Sequence, residues 1–229
     1  MKRKLILYVS LLLVLFFMTG TGQAVLMITN GDFETGGGSN IPDVTGWNDY
    51  STANFWEDAW QTNASWITPN GSNVVVFCSW DTAEGNPLAG SYLYQSIGIS
   101  EGESELTIGF DWGHPDDTGA GRHDGLTVAA YAMSGLGDSI DIASAITLLD
   151  YASYDHIALG TNGEIFPVVV TLDLSGANVG DEIFLRFNNY MPESGADPWP
   201  ILDNVRIVPE PATMILIGLG SLALLRRKK

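Results

Sequence analysis

Apolar and polar residues alternate strictly between positions 106 and 112. Leu106, Ile108, Phe110 and Trp112 fall on one side, and Thr107, Gly109 and Asp111 on the other. A period of two over this length predicts a strand with one buried face. The pattern recurs at Leu126, Val128, Ala130 and Ala132, at Val168, Val170, Leu172 and Leu174, and at Ile183, Leu185 and Phe187. Residues 201–208 form the last predicted strand, with Val205 and Ile207 on its buried side. Residues 25–29, 73–80 and 92–97 are further apolar strands, and 143–154 suits either a short helix or a strand. Eight to ten strands separated by turn residues, with no long helix, predict an all-β fold: an antiparallel β-sandwich of jelly-roll type. No internal repeat or second domain is visible.

Two hydrophobic segments do not fit this pattern, and both lie at the ends of the chain. Residues 5–18 are apolar, follow Lys2-Arg3-Lys4 and precede Gly22-Gln23-Ala24. This is the layout of a signal peptide, residues 1–24, cut after Ala24. At the other end, residues 212–225 carry no charge and stop at Arg226, Arg227, Lys228 and Lys229. As a C-terminal hydrophobic helix they would span roughly 21 Å, short of the ~30 Å hydrocarbon core. Snorkelling Arg and Lys side chains close much of that gap. The sandwich is therefore expected over residues 25–207 and a membrane-directed tail over 208–229. The tail, with Pro209-Glu210-Pro211, the apolar run and the basic stop in order, resembles the PEP-CTERM sorting signal of Gram-negative bacteria. That resemblance implies an inner-membrane exosortase as partner, transient anchoring in that membrane, and delivery to the cell surface or extracellular matrix.

Charge sharpens the division. The chain has ten Lys and Arg, 27 Asp and Glu and a formal net charge of −17. Seven of the cations sit in the two terminal segments. The remainder keeps Arg122, Arg186 and Arg206 against 26 acidic residues, a charge of about −23. Such a surface repels nucleic acid and anionic lipid and favours divalent cations. The one cysteine, Cys78, lies in the apolar Val74-Val75-Val76-Phe77 run and is expected to be a buried, inert thiol.

The two ends of the domain carry a second resemblance. Asn30-Gly31-Asp32-Phe33-Glu34 and Leu202-Asp203-Asn204-Val205-Arg206-Ile207 resemble the opening and closing motifs of galactose-binding-like jelly rolls, which include several carbohydrate-binding modules. The resemblance implies first and last strands lying side by side around a structural calcium. Glu34 and Asp203 would supply carboxylate oxygens, and the backbone near Asp32 a carbonyl. Asp32 capping a turn, with Asp203 paired to Arg186 or Arg206, is the metal-free alternative. The resemblance also implies glycan binding on aromatic platforms, for which Trp47, Trp56, Trp60 and Trp112 are the candidates, beside Asn48, Asp49, Asn54, Glu57 and Asn63.

Catalysis has less support. His114, Asp116, Asp117, Arg122, His123 and Asp124 gather within eleven residues. Their spacing matches no metal-ligand pattern, and a solvated loop between two strands accounts for them. Gly137-Asp138-Ser139-Ile140 lacks the context of a hydrolase nucleophile. The expectation is a non-catalytic surface or matrix protein that binds exopolysaccharide and a structural calcium. A matrix protein without a defined ligand and a secreted polysaccharide hydrolase are the alternatives.

Overall fold

The computed structural model describes residues 26–36, 44–50, 59–62, 73–77, 85–88, 92–114, 123–134, 146–157, 165–192 and 199–209. Ten strands run through them: β1 (Asn48–Tyr50), β2 (Ala59–Thr62), β3 (Val74–Phe77), β4 (Tyr92–Ile99), β5 (Glu105–Gly113), β6 (His123–Met133), β7 (Thr147–Ile157), β8 (Ile165–Asp173), β9 (Glu182–Tyr190) and β10 (Ile201–Ile207). They form two five-stranded sheets, ordered β1-β4-β9-β6-β7 and β2-β3-β10-β5-β8. Every pairing is antiparallel. The described residues thus form an all-β sandwich in which several sheet neighbours are distant in sequence.

The alternating rows face each other across the sandwich. Leu106, Ile108, Phe110 and Trp112 of β5 meet Leu126, Val128, Ala130 and Ala132 of β6 and Ile183, Leu185 and Phe187 of β9 in one core. Phe110 touches both Phe187 and Tyr154, with ring centroids 5.3 and 5.8 Å apart. Fully burying each large side chain contributes about 1.5–3 kcal/mol. Of residues 143–154, those from 147 onward are strand: β7 covers 147–157 and pairs along its length with β6. As an edge strand it packs only Leu149, Ala152 and Tyr154 against the core and leaves Leu148 and Tyr151 exposed, so its pattern in sequence is faint.

Two departures from the expected strands shape the domain's seam. Residues 26–29 are not a strand. Met27 N–H bonds to Ile97 O, and the Gln95 amide accepts from Thr29 N–H while its Nε2 donates to Thr29 O and Gly46 O. A side chain here replaces a ladder. The second departure is a bulge in β10. Asp203 pairs with Asp111 and Arg206 with Gly109, so β10 carries one extra residue. Asn204 absorbs it at φ 53°, a conformation that Asn tolerates better than most residues. The bulge keeps both Leu202 and Val205 inward, and the Val205 N–H bonds to Gly31 O at 2.7 Å. A Cβ at Gly31 would lie 1.9 Å from Val205 O, so only glycine lets the first turn reach the last strand.

Candidate functional site

The turn of residues 30–34 is fixed by its own side chains. Asn30, at φ 49°, donates to Thr45 O and accepts from Thr35 N–H, and Asn30 O accepts from the Trp47 indole. Phe33, at φ 53°, drives its ring into the core against Trp47. This anchoring holds Asp32 and Glu34 over the outer face of the β3-β10-β5 sheet. There Asp203 is flanked by Asp111, its register partner. Glu34 accepts from Asn73 N–H at 3.0 Å and from Asn73 Nδ2 at 3.1 Å, and Asp111 accepts from Asn204 Nδ2 at 2.9 Å. Arg206 donates to Asn204 O. Among the described residues Asp203 forms no ion pair with Arg186 or Arg206.

The electrostatics of this seam are lopsided. Burial pushes the Asp203 carboxyl up to about 7, and the negative charges of Asp111, Glu34 and Asp32 push in the same direction. The Asn204 N–H opposes them only in part. The side-chain oxygen of Asn73 is buried without a hydrogen-bond partner. Carboxylate and amide oxygens of this kind suit calcium, which accepts irregular sets of hard oxygen ligands. Among the described residues no three His, Cys, Asp or Glu side chains close around one point. The fit to a cation therefore rests on Asp203, Glu34 and the orphaned Asn73 oxygen together with backbone carbonyls.

The tryptophans are placed less as expected. Trp47 and Trp112 are 7% and 4% exposed and belong to the core, so neither ring offers a platform. The alternation that puts Trp112 in the row of Phe110 carries the reason. Trp60 lies on β2, and Trp56 lies outside the described residues. Cys78 lies outside them too. An aromatic cluster does occur elsewhere, on the outer face of the β4-β9-β6 strands. Arg186 lies 3.6 Å from the Tyr92 ring centroid and 5.4 Å from that of Tyr131. Its Nε donates to Asn188 Oδ1 at 2.6 Å, and its Nη2 to Leu88 O at 2.9 Å. Tyr94 packs at the margin of this group and is more open to solvent than Tyr92 or Tyr131. Burial holds the guanidinium pKa below its ordinary value. In a domain so rich in carboxylates, the described residues give Arg186 no acidic partner. Sequence reasoning missed this face, whose signal was polar and aromatic residues two apart: Tyr92 with Tyr94, and Arg186 with Asn188.

The reading of 114–124 as a solvated loop also changes. Residues 115–122 lie outside the described set, but His114 and Asp124 are fully buried and hydrogen-bonded to each other. They occupy strand ends, where each continues an inward-facing row.

The last strand passes directly into the C-terminal segment. Val208 N–H still bonds to Thr107 O, and Pro209 is exposed. Residues 208–229 match the PEP-CTERM protein-sorting motif. The protein is thus exported, processed by exosortase, and held at the membrane before reaching the cell surface. Residues 210–229 and residues 1–24, where a signal peptide is expected, lie outside the described residues. Among those described, no helix is long and apolar enough to cross a membrane.

A search of curated proteins finds no match to the chain. Among solved structures, the Stig cyclase FisC from Fischerella sp. TAU is similar at a TM-score of 0.55 and 19% identity, covering 82% of this chain and 99% of that one. The arabinose-bound α-L-arabinofuranosidase MgGH51 is similar at a TM-score of 0.52 and 16% identity, covering 83% of this chain and 27% of that one. The K1 cleaved adhesin domain of Lys-gingipain from Porphyromonas gingivalis W83 aligns at 0.46 and 18%, over 78% and 96%. At these identities the first two likenesses are of fold alone.

Proposed function

We propose that this exported β-sandwich is a non-catalytic surface or matrix protein of a Gram-negative bacterium. It binds exopolysaccharide through the tyrosine-lined face around Arg186, and its seam is pinned by a structural calcium. The observation that carries the glycan reading is the half-buried Tyr94, whose ring centroid lies 6.0 Å from that of Tyr92 at the margin of the buried Arg186 cluster. Aromatic faces pack against the C–H surface of sugars, and Tyr94 is the ring of this cluster that solvent reaches. A glycan array probed with the protein tests it, with Tyr94→Ala as the variant. Binding to one polysaccharide class, weakened about tenfold by Tyr94→Ala, is expected. Failure to bind any glycan would refute the reading.

Support for calcium comes from the raised Asp203 carboxyl and the unpartnered Asn73 oxygen beside Glu34. Glu34, Asp203 and the backbone at Asp32 would hold the ion, with Asn73 Oδ1 as an additional donor. The ion would join the first turn to the last strand without a disulfide, so its binding energy would add to the stability of the folded state.

Attachment to the membrane follows from the division of charge. A domain of about −23 has no electrostatic attraction to anionic lipid. Deleting residues 209–229 is therefore expected to move the protein from the membrane to the soluble fraction on cell fractionation. Continued sedimentation with membranes would contradict this.

A further inference from the structure

The chain has three histidines, and all lie at one end of the sandwich, where neither the calcium seam nor the tyrosine face uses them. His114 follows Trp112 in the inward row of β5. Asp124 opens the inward row of β6. His156 of β7 is in register with Asp124 and follows Ala152 and Tyr154 along the strand. The alternation therefore sends all three side chains toward the space between the sheets. His123 is one residue out of phase and pairs with Asp155 at 3.4 Å on the opposite face.

The His114 ring is fully oriented by its neighbours. Its Nδ1 bonds to Asp124 Oδ2, and Asp124 Oδ1 accepts the Trp199 N–H at 2.5 Å. With Nδ1 engaged by the carboxylate, Nε2 is the ring nitrogen left for a ligand. That Nε2 is buried and has no hydrogen-bond partner. The His156 ring stands beside it, with centroids 5.2 Å apart and planes 36° apart. Phe166 touches both rings, and Trp112 lies against His114. Two imidazoles sharing one tetrahedral ion at Zn–N ~2.0–2.1 Å place their ring centres about 3.2 Å from the ion and about 5.2 Å from each other. The observed spacing agrees. A carboxylate behind a histidine, fixing its tautomer, is also the usual support of a metal-bound imidazole.

We infer that His114 Nε2 and His156 hold a divalent ion of zinc type at this end of the sandwich, with Asp124 positioning His114 from behind. Nitrogen donors favour zinc or cobalt over calcium, so this site and the oxygen-lined seam select different ions. Among the described residues no third side chain completes the set. Water would fill the remaining positions, with access from solvent at the half-buried His156.

The test uses the full chain, stripped of metal and returned to buffer containing excess calcium, titrated with Co(II) and then Zn(II). One Co(II) per chain with visible absorption typical of nitrogen coordination, displaced by Zn(II), is the expected result. His156→Ala should weaken binding at least tenfold. His114→Gln should do the same, with circular dichroism checking that the fold is kept. His123→Ala, on the opposite face, should leave binding unchanged. Wild-type affinity in a folded His156→Ala protein, no Co(II) spectrum at all, or equal loss in His123→Ala would each overturn the assignment.

Discussion

Replacing Asp124 by alanine is expected to destabilise the sandwich by about 3–5 kcal/mol. The carboxylate is fully buried and serves two donors, His114 Nδ1–H and the Trp199 N–H. Alanine leaves both unpaired in a place lined by Trp112 and Phe166, where water cannot readily replace the lost oxygens. For a domain of this size the loss corresponds to a drop of about 6–20 °C in melting temperature. Asp124→Asn keeps an acceptor for one of the donors and should cost less. Urea denaturation of the three proteins measures the difference. A change below about 1 kcal/mol for Asp124→Ala would show that the pair does not hold this end of the fold together.

The second large effect is expected at the seam. Asp203 ionises near its ordinary value of 3.8 in the unfolded chain and at about 7 in the folded one without an ion. Between those values the native state binds the extra proton, so native stability falls as pH rises from about 4 to 7 and is level above. Calcium, bound to the ionised form, opposes that loss. In chelator, melting temperature should therefore decline across this window, and calcium should restore it most at pH 7 and above. Asp203→Asn removes the titrating group. It should flatten the decline in chelator, raise the melting temperature of the metal-free protein at pH 8, and abolish the response to calcium. A melting temperature that ignores chelator in both proteins would remove calcium from the account. A decline of equal slope in Asp203→Asn would assign the pH dependence to another group.

The fold was legible wherever one face of a strand is buried and the other is not. The rows from Leu106 to Trp112 and from Ile183 to Phe187 are both in the core. The bulge left a trace as well: Leu202 and Val205 are both inward but three residues apart, which simple alternation forbids. Residues 26–29 misled because their apolar character serves contact with the core and not a ladder, and their partner is the Gln95 amide. No local pattern announces such a clip. The carboxylates of the seam were legible through the motifs at both ends of the domain, whereas Asp111 and Asn73 come to it only by register with β10 and by the bonds to Glu34. The tyrosine face was hidden for the opposite reason. Large aromatic residues stand on both sides of these strands, and in sequence nothing separates a Trp in the core from a Tyr on the outside. The His114–Asp124 pair was misjudged because nine residues separate the two positions along the chain, while inter-sheet packing brings them together.

The chain enters and leaves the sandwich at the same pole. Met27 joins β4 at Ile97, near its end, and Val208 joins β5 at Thr107, near its start. The histidines lie at the other pole, seven residues farther along β5, or about 23 Å at ~3.3 Å per residue. The segment that carries the sorting motif, from residue 208, therefore continues from the pole opposite the histidines. The path of two strands alone sets that separation between the tail's point of attachment and the histidine end.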